Sequence, residues 1–305
     1  MKKVILILFI TLMVFVFDTR IFKNTAYNLY KIATTKYGYR ITNNPDVLNK
    51  NDYTKKDHST YASNTDSLNA HNKQELIDIY YSAVNSGFDR ITFYCDYECG
   101  DDISDLNSND ANFTYINQLV GVYNTYSSIE SSYTSNLRVD LNIIRKYSEE
   151  DINRIDKRLD EIIIEQEINN YSDIKDKIKV FHDYIANTNR YDQEMAENRE
   201  SSYHSDTAIG ALFEGKSICS GYSDAMSLFL DKLGLDNVRI ATEEHVWNAV
   251  LIDGTWYHID LTWDDPIVTN GGDIIQYDYF LITTDELNNK DDDEHDYNKE
   301  IYDFI

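Results

Sequence analysis

The apolar residues of this chain change period several times, and each change marks an element. "QELIDIYYSAVNSG" reads as a helix ending near Gly87, and "DRITFYCDYEC" as a strand. In "NLRVDLNII" Leu137, Val139, Leu141 and Ile143 alternate, which predicts a second strand. Ser148 opens the capping sequence "SEED", and Ile152, Ile155, Leu159, Ile162 and Ile163 follow at helical spacing. "DIKDKIKVFHDYIANTNRYD" predicts another helix, with Ile174, Ile178, Phe181 and Ile185 inward. Tyr222, Ala225, Met226, Phe229, Leu230 and Leu233 form one more helical face, which Gly234 terminates. Two alternating runs then flank Asp253-Gly254, a favoured two-residue hairpin turn. That turn pairs Ile252 with Thr255 and, carried to its end, His245 with Thr262. Val246, Val250, Ile252, Tyr257, Ile259, Leu261 and Trp263 then share a face that reads as the core side, and His245, Trp247, Ala249, Trp256, His258 and Asp260 share the other.

These elements specify an α+β protein. Ahead of them, two lysines precede an apolar run from Val4 to Phe17, the pattern of an export signal or an uncleaved signal anchor over residues 1–22. A polar spacer over 23–73, rich in Asn, Asp, Ser, Thr and Lys, separates that leader from a small α+β domain at 74–170 and a second domain at 171–305. A hydrophobic content of 42% suits packed cores, and the net charge of −25 argues against a nucleic-acid partner, because phosphate binding needs clustered cations. The leader places the remainder outside the cytoplasm, secreted or held at the membrane.

The chemistry gathers around Cys219, one of three cysteines. It stands at the N-terminal end of the helix read from "GKSICSGYSDAMSLFLDKLG", where free amides and the helix dipole favour an anion, so its thiol is expected to ionise readily. Ser217 and Ser220 are candidate caps, and Gly221 permits close backbone approach. On the hairpin Asp260 lies diagonally across from His245, at ~7–8 Å between Cα atoms, within reach of a hydrogen bond. Cys219 as nucleophile, His245 as base and Asp260 as its orienter make a set for thiol chemistry. The bland alternatives are a cysteine that only packs and a surface His–Asp pair. His258 faces Ala249, farther from the nucleophile, and His182 and His204 read as structural or surface residues. Cys95 and Cys99 fit either a short disulfide or two free buried thiols; two thiolates without a nearby His pair supply too few metal ligands. The acidic stretch "DDDEHD" lacks the glycine and regular spacing of a calcium loop and reads as a solvated charged segment. No metal or cofactor is called for.

"ALFEGKSICSGYSDAMSLFLDKLGL" followed by "HVWNAVLIDGTWYHIDLTWDDP" closely resembles the bacterial transglutaminase-like superfamily, with flanks "KIKVFHDYIANTNRYD" and "YDYFLITTDEL" extending the likeness over about residues 172–285. The resemblance implies a papain-like transglutaminase core, a catalytic helix on an antiparallel sheet, as the second domain. It implies Cys219, His245 and Asp260 as a catalytic triad, with the Cys219 backbone N–H at the oxyanion. The implied activity is acyl transfer on protein or peptide amides through a Cys219 thioester: crosslinking, deamidation or amide hydrolysis. A cysteine protease of the same fold and a non-catalytic surface binding module are the rival expectations. Trp247, Trp256 and Tyr222 are expected to wall the substrate cleft, and hairpin parity turns Trp263 toward the core. The partners implied are protein or peptide substrates such as cell-wall or surface proteins, and the membrane through the leader.

Overall fold

The computed structural model describes residues 51–107, 115–133, 137–266, 274–290 and 292–305; the leader expected at 1–22 lies outside them. Among the described residues no helix is long and apolar enough to cross a membrane.

A first four-stranded sheet combines β1 (Asn69–Ala70), β2 (Arg90–Cys95), β3 (Tyr126–Tyr133) and β4 (Arg138–Arg145) in the order β1-β2-β4-β3. β1 runs parallel to β2 and the other pairs are antiparallel. Helix α1 (Lys73–Asn85) covers it, starting at Asn72, whose side chain accepts from the Glu75 amide. Helices α2 (Glu149–Glu165) and α3 (Ile174–Thr188) follow, and then α4 (Cys219–Lys232). The Ser148 capping box forms as its sequence predicts. The second sheet orders β5 (Asn237–Ala241), β6 (Val246–Ile252), β7 (Thr255–Ile259) and β8 (Phe280–Thr283) as an antiparallel meander. The mixed α+β architecture, a helix beginning at Cys219 packed on an antiparallel sheet, is the one expected.

The second sheet is buried on both faces, not one. Val250, Ile252 and Ile259 meet Phe181, Ala225, Met226 and Phe229 of α3 and α4, where the rings of Phe181 and Phe229 stack at 4.0 Å. Ile240, Trp247 and Ala249 point the other way, into a core shared with Ile79, Phe93, Val139, Tyr297 and Tyr302. Alternation therefore reports which residues share a face, but the first sheet and the C-terminal segment cover the face that the apolar count leaves open. α2 contributes Ile155, Leu159 and Ile162 to the α3–α4 core, and the chain ahead of it contributes Val122, Tyr123 and Tyr147. The hydrogen bonds of a buried ion pair tie the earlier part of the chain to this core. Arg239 on β5 meets Asp224 on α4 and also donates to the Asn117 carbonyl, while Asp224 accepts from the Tyr147 hydroxyl at 2.6 Å.

The stretch 51–72, expected as spacer, lies along both units. Lys56 pairs with Asp236 at 2.8 Å and Lys55 with Asp231. Asn51 and Asn124 exchange amide hydrogen bonds at 2.7 and 3.0 Å, and the Ser59 hydroxyl donates to the Ile301 carbonyl. Its polar side chains serve as hydrogen-bond ties to the body, which composition alone does not distinguish from solvation.

Gly221, in the first turn of α4, passes under the loop 204–207. A Cβ there would overlap the Ser205 carbonyl oxygen and sit 2.9 Å from that of Thr207. Gly221→Ala should therefore lower stability by about 2 kcal/mol, the scale of overpacking a rigid contact, read as a drop in the urea midpoint at unchanged slope.

Candidate active site

α4 begins on Cys219 itself. The amides of Gly221 and Tyr222 turn back onto the Ile218 carbonyl, leaving Cys219 and Ser220 as first-turn amides with the unsatisfied character of a helix start. Cys219 is 5% exposed and is the one free cysteine, since Cys95 and Cys99 are joined as a disulfide. The tight connection between β5 and β6 carries His245: the Thr242 amide donates to the His245 carbonyl at 2.9 Å, and the His245 amide to the Thr242 hydroxyl at 3.1 Å. That turn sets the imidazole over the start of α4, beside the Cys219 thiol, which favours the charged form of the ring.

The predicted hairpin register holds, with Ile252 opposite Thr255 and Ala249 opposite His258. Asp253 and Gly254 both take positive φ, 52° and 82°, as the two-residue turn requires. The pairing stops at Asn248 and Ile259, so His245 and Thr262 are not partners. Asp260 ends the strand because it caps the helical turn Leu261–Asp264, where its Oδ1 accepts from the amides of Thr262 at 2.9 Å and Trp263 at 3.2 Å. Its Oδ2 accepts from His245 Nε2 at 2.5 Å. The structure thus brings Cys219, His245 and Asp260 together, although Asp260 arrives as a helix cap and not as a ladder neighbour.

A fourth side chain belongs to this cluster. His295, from the "DDDEHD" stretch expected to be solvated, is buried and places Nε2 2.8 Å from the same Asp260 Oδ2. Its Nδ1 lies 2.6 Å from Asp292. The signal for this was faint: Tyr297, Ile301 and Tyr302 follow the acidic run and are all buried, pulling the preceding residues inward. His245, Asp260 and His295 offer three ligand atoms within 4.8 Å of one another. Tetrahedral ligands on a zinc ion at ~2.0–2.1 Å stand ~3.3 Å apart. The observed 2.5 and 2.8 Å are direct hydrogen bonds, too short for an ion between them.

Electrostatics follow from the burial. Desolvation opposes charge on His245, yet the Asp260 carboxylate and the Cys219 contact outweigh it and hold the imidazole's pKa well above the ordinary value. Burial would likewise raise the Asp260 pKa, but His245 and His295 pull it well below the usual carboxylate range. His258 behaves oppositely. Burial, helped by the His295 ring, drives its pKa down to about 3, so it stays neutral and accepts from Trp247 Nε1 at 3.1 Å.

A cleft of about 410 Å³ opens beside His245, lined by Tyr191, Glu244, Trp263, Asp265 and Glu294 among others. The three cleft residues expected from sequence lie elsewhere. Trp247 is buried beneath the His245 ring, stacked at 5.7 Å. Trp256 packs on His58 and Phe304. Tyr222 is buried and meets the cleft wall only through its hydroxyl on Asp265, at 2.6 Å. Trp263, expected in the core, lines the cleft because the helical turn after Asp260 breaks the strand parity. His182 is fully buried between Asp183 and Asp264, and His204 sits at the surface on Glu214. A groove of about 510 Å³ on the outer face of the first sheet, with Arg90, Glu130 and Arg138, has no cysteine or histidine in its lining.

Residues 163–261 match the transglutaminase-like superfamily. The match covers 99 of the chain's 305 residues. Among solved structures, a transglutaminase is 19% identical with a TM-score of 0.34, the likeness covering 45% of each chain. A candidate cysteine protease from Cytophaga hutchinsonii is 13% identical with a TM-score of 0.28, over 48% of this chain and 65% of that one. The matched region thus spans less than two thirds of either structure. No curated protein matches the chain.

The His245–Asp260 pair has a defined pH window. A lowered carboxylate contributes stability above its unfolded value of ~3.9, lost as pH falls through the folded one. A raised imidazole contributes below ~6.5, lost as pH rises through its folded value. Asp260→Asn should cost about 3 kcal/mol at ~pH 6, measured by urea unfolding, and should move the His245 ring titration downward in NMR because the Asp260 charge no longer offsets burial.

Proposed function

We propose that this protein is an exported cysteine acyltransferase acting on protein or peptide amides through a Cys219 thioester. The observation that carries this reading is one arrangement: a free cysteine at a helix start stands beside a histidine whose Nε2 is held by a buried, ionised carboxylate. His245 takes the thiol proton, giving a thiolate–imidazolium pair that Asp260 stabilises. Sulfur attacks the carboxamide carbon, and the developing oxyanion lies at the Cys219 amide, where the helix start favours negative charge. His245 returns the proton to the departing nitrogen, ammonia leaves, and the thioester remains. A primary amine or water then attacks, with His245 removing its proton, to give a crosslinked amide or a free acid.

The carboxylates of Glu244, Glu294 and Asp265 around the cleft support an amine over water, since they draw an ammonium-bearing acceptor toward His245. Export is supported by the basic-then-apolar leader and by the Cys95–Cys99 disulfide, which suits an oxidising compartment. Wall peptides and surface proteins are the substrates available there.

Iodoacetamide labelling of Cys219 in the full chain, followed across pH by mass spectrometry, tests this. The expected midpoint lies well below the free-thiol value of ~8.5 and returns toward it in His245→Ala. A midpoint at or above ~8.5 that the substitution does not move would leave a binding module. With glutamine peptides and a primary amine, the acyltransferase joins the two with loss of ammonia and an intact backbone, whereas a protease cleaves the backbone.

A further inference from the structure

We propose that His295 is a positioning residue for the triad: it holds the Asp260 carboxylate on His245 and is itself held by Asp292. This rests on the catalytic reading above.

Asp260 Oδ2 stands between two imidazoles, His245 at 2.5 Å and His295 at 2.8 Å. A carboxylate only accepts, so each ring nitrogen facing it is a donor. His295 is fixed from behind. Asp292 Oδ1 accepts from its Nδ1 at 2.6 Å and from its amide at 3.0 Å, while Asp292 Oδ2 accepts from the Tyr279 hydroxyl at 2.8 Å. Its ring stacks on Tyr279 at 4.6 Å and 15°, with the edges of Trp247 and Trp263 at 4.8 and 5.2 Å. The ring has no room to turn away, so its donor stays aimed at Oδ2.

The functional content follows from what Asp260 does without it. The two amides on Oδ1 tether one oxygen but leave rotation about that oxygen free. A second donor on Oδ2 stops that rotation and keeps the oxygen where His245 Nε2 needs it. His295 meets the His245 ring edge-on at 5.3 Å, but its hydrogen bond, the contact that fixes an oxygen, acts through Asp260. A structural histidine would need only to fill the space between Tyr279 and Trp263. This one instead spends both nitrogens on carboxylates, one of them the group that orients the base.

The test is the pH profile of Cys219 alkylation by iodoacetamide in the full chain, for wild type, His295→Ala, His295→Gln, Asp292→Asn, Asp260→Asn and the Asp260→Asn/His295→Ala double variant. His295→Ala should slow labelling about tenfold at neutral pH and move the midpoint up toward ~8.5, because the imidazolium partner of the thiolate is less well held. His295→Gln keeps an amide donor for Oδ2 and should recover most of the rate. In the Asp260→Asn background His295→Ala should add less than about twofold, since the group it acts through is gone. A melting temperature that falls in His295→Ala while rate and midpoint stay at wild type would overturn the proposal, as would an equal loss in the Asp260→Asn background. Should His295→Ala fail to fold, Asp292→Asn decides: a slowed, up-shifted profile supports the proposal and a wild-type profile overturns it. A wild-type protein with an ordinary thiol profile, unmoved by His245→Ala, would instead overturn the catalytic reading itself, an outcome visible without any substitution at His295.

Discussion

One carboxylate organises this protein's chemistry. Asp260 is 1% exposed and accepts four hydrogen bonds, two from backbone amides at a helix start and two from imidazoles. An ion taken out of water is costly unless every lone-pair direction finds a donor. Here the donors come from a helix start, the β5–β6 connection and a segment 35 residues further on. Satisfying that one charge therefore fixes three parts of the chain against one another. The stacking of His245 on Trp247 and of His295 on Tyr279 continues the same constraint outward through rigid rings.

The setting of that carboxylate explains the shape of the rest. The second sheet must be dry on both sides, since solvent on the Trp247 side would reach Asp260 from behind. The first sheet and the C-terminal aromatics, Tyr297 and Tyr302, provide that cover. The Tyr302 hydroxyl accepts from the Ala241 amide at 3.0 Å, securing the strand end next to the turn that presents His245. The buried Arg239–Asp224 pair ties the same strand to α4, and hence to the helix that carries Cys219. What composition reads as two units with a spacer is, in packing terms, one support built around a charge.

How much of this was legible depends on the range over which each signal acts. The Asp253-Gly254 turn is local chemistry, and two positive φ angles follow from two residues, so the register could be read directly. The helix at Cys219 and its glycine stop were equally local. Asp260 was found for a partly different reason than the one that places it. Strand alternation put it near His245, while the capping preference of Asp before "LTWD" actually sets its position, and that same cap carries Trp263 out of parity and into the cleft. Trp247 and Trp256 were misplaced because alternation says which residues share a face but not what covers it. His295 was hidden altogether. Its neighbours are acidic and read as solvated, and only the long-range meeting with Asp260 gives the histidine its partner.

The bond between Cys95 and Cys99 has a bearing on Cys219 that lies in the timing of oxidation. Three thiols exposed together to an oxidant can pair in three ways, two of which consume Cys219. Pairing is governed by how often two sulfurs meet, and chain closure grows less favourable as the intervening segment lengthens. Cys95 and Cys99 are four positions apart, and Cys219 is 120 beyond Cys99. The two near thiols meet far more often in an unfolded chain, so they are removed from competition early. The odd thiol then reaches its place at the start of α4 unpaired, shielded by its own burial from the chemistry that closed the other two.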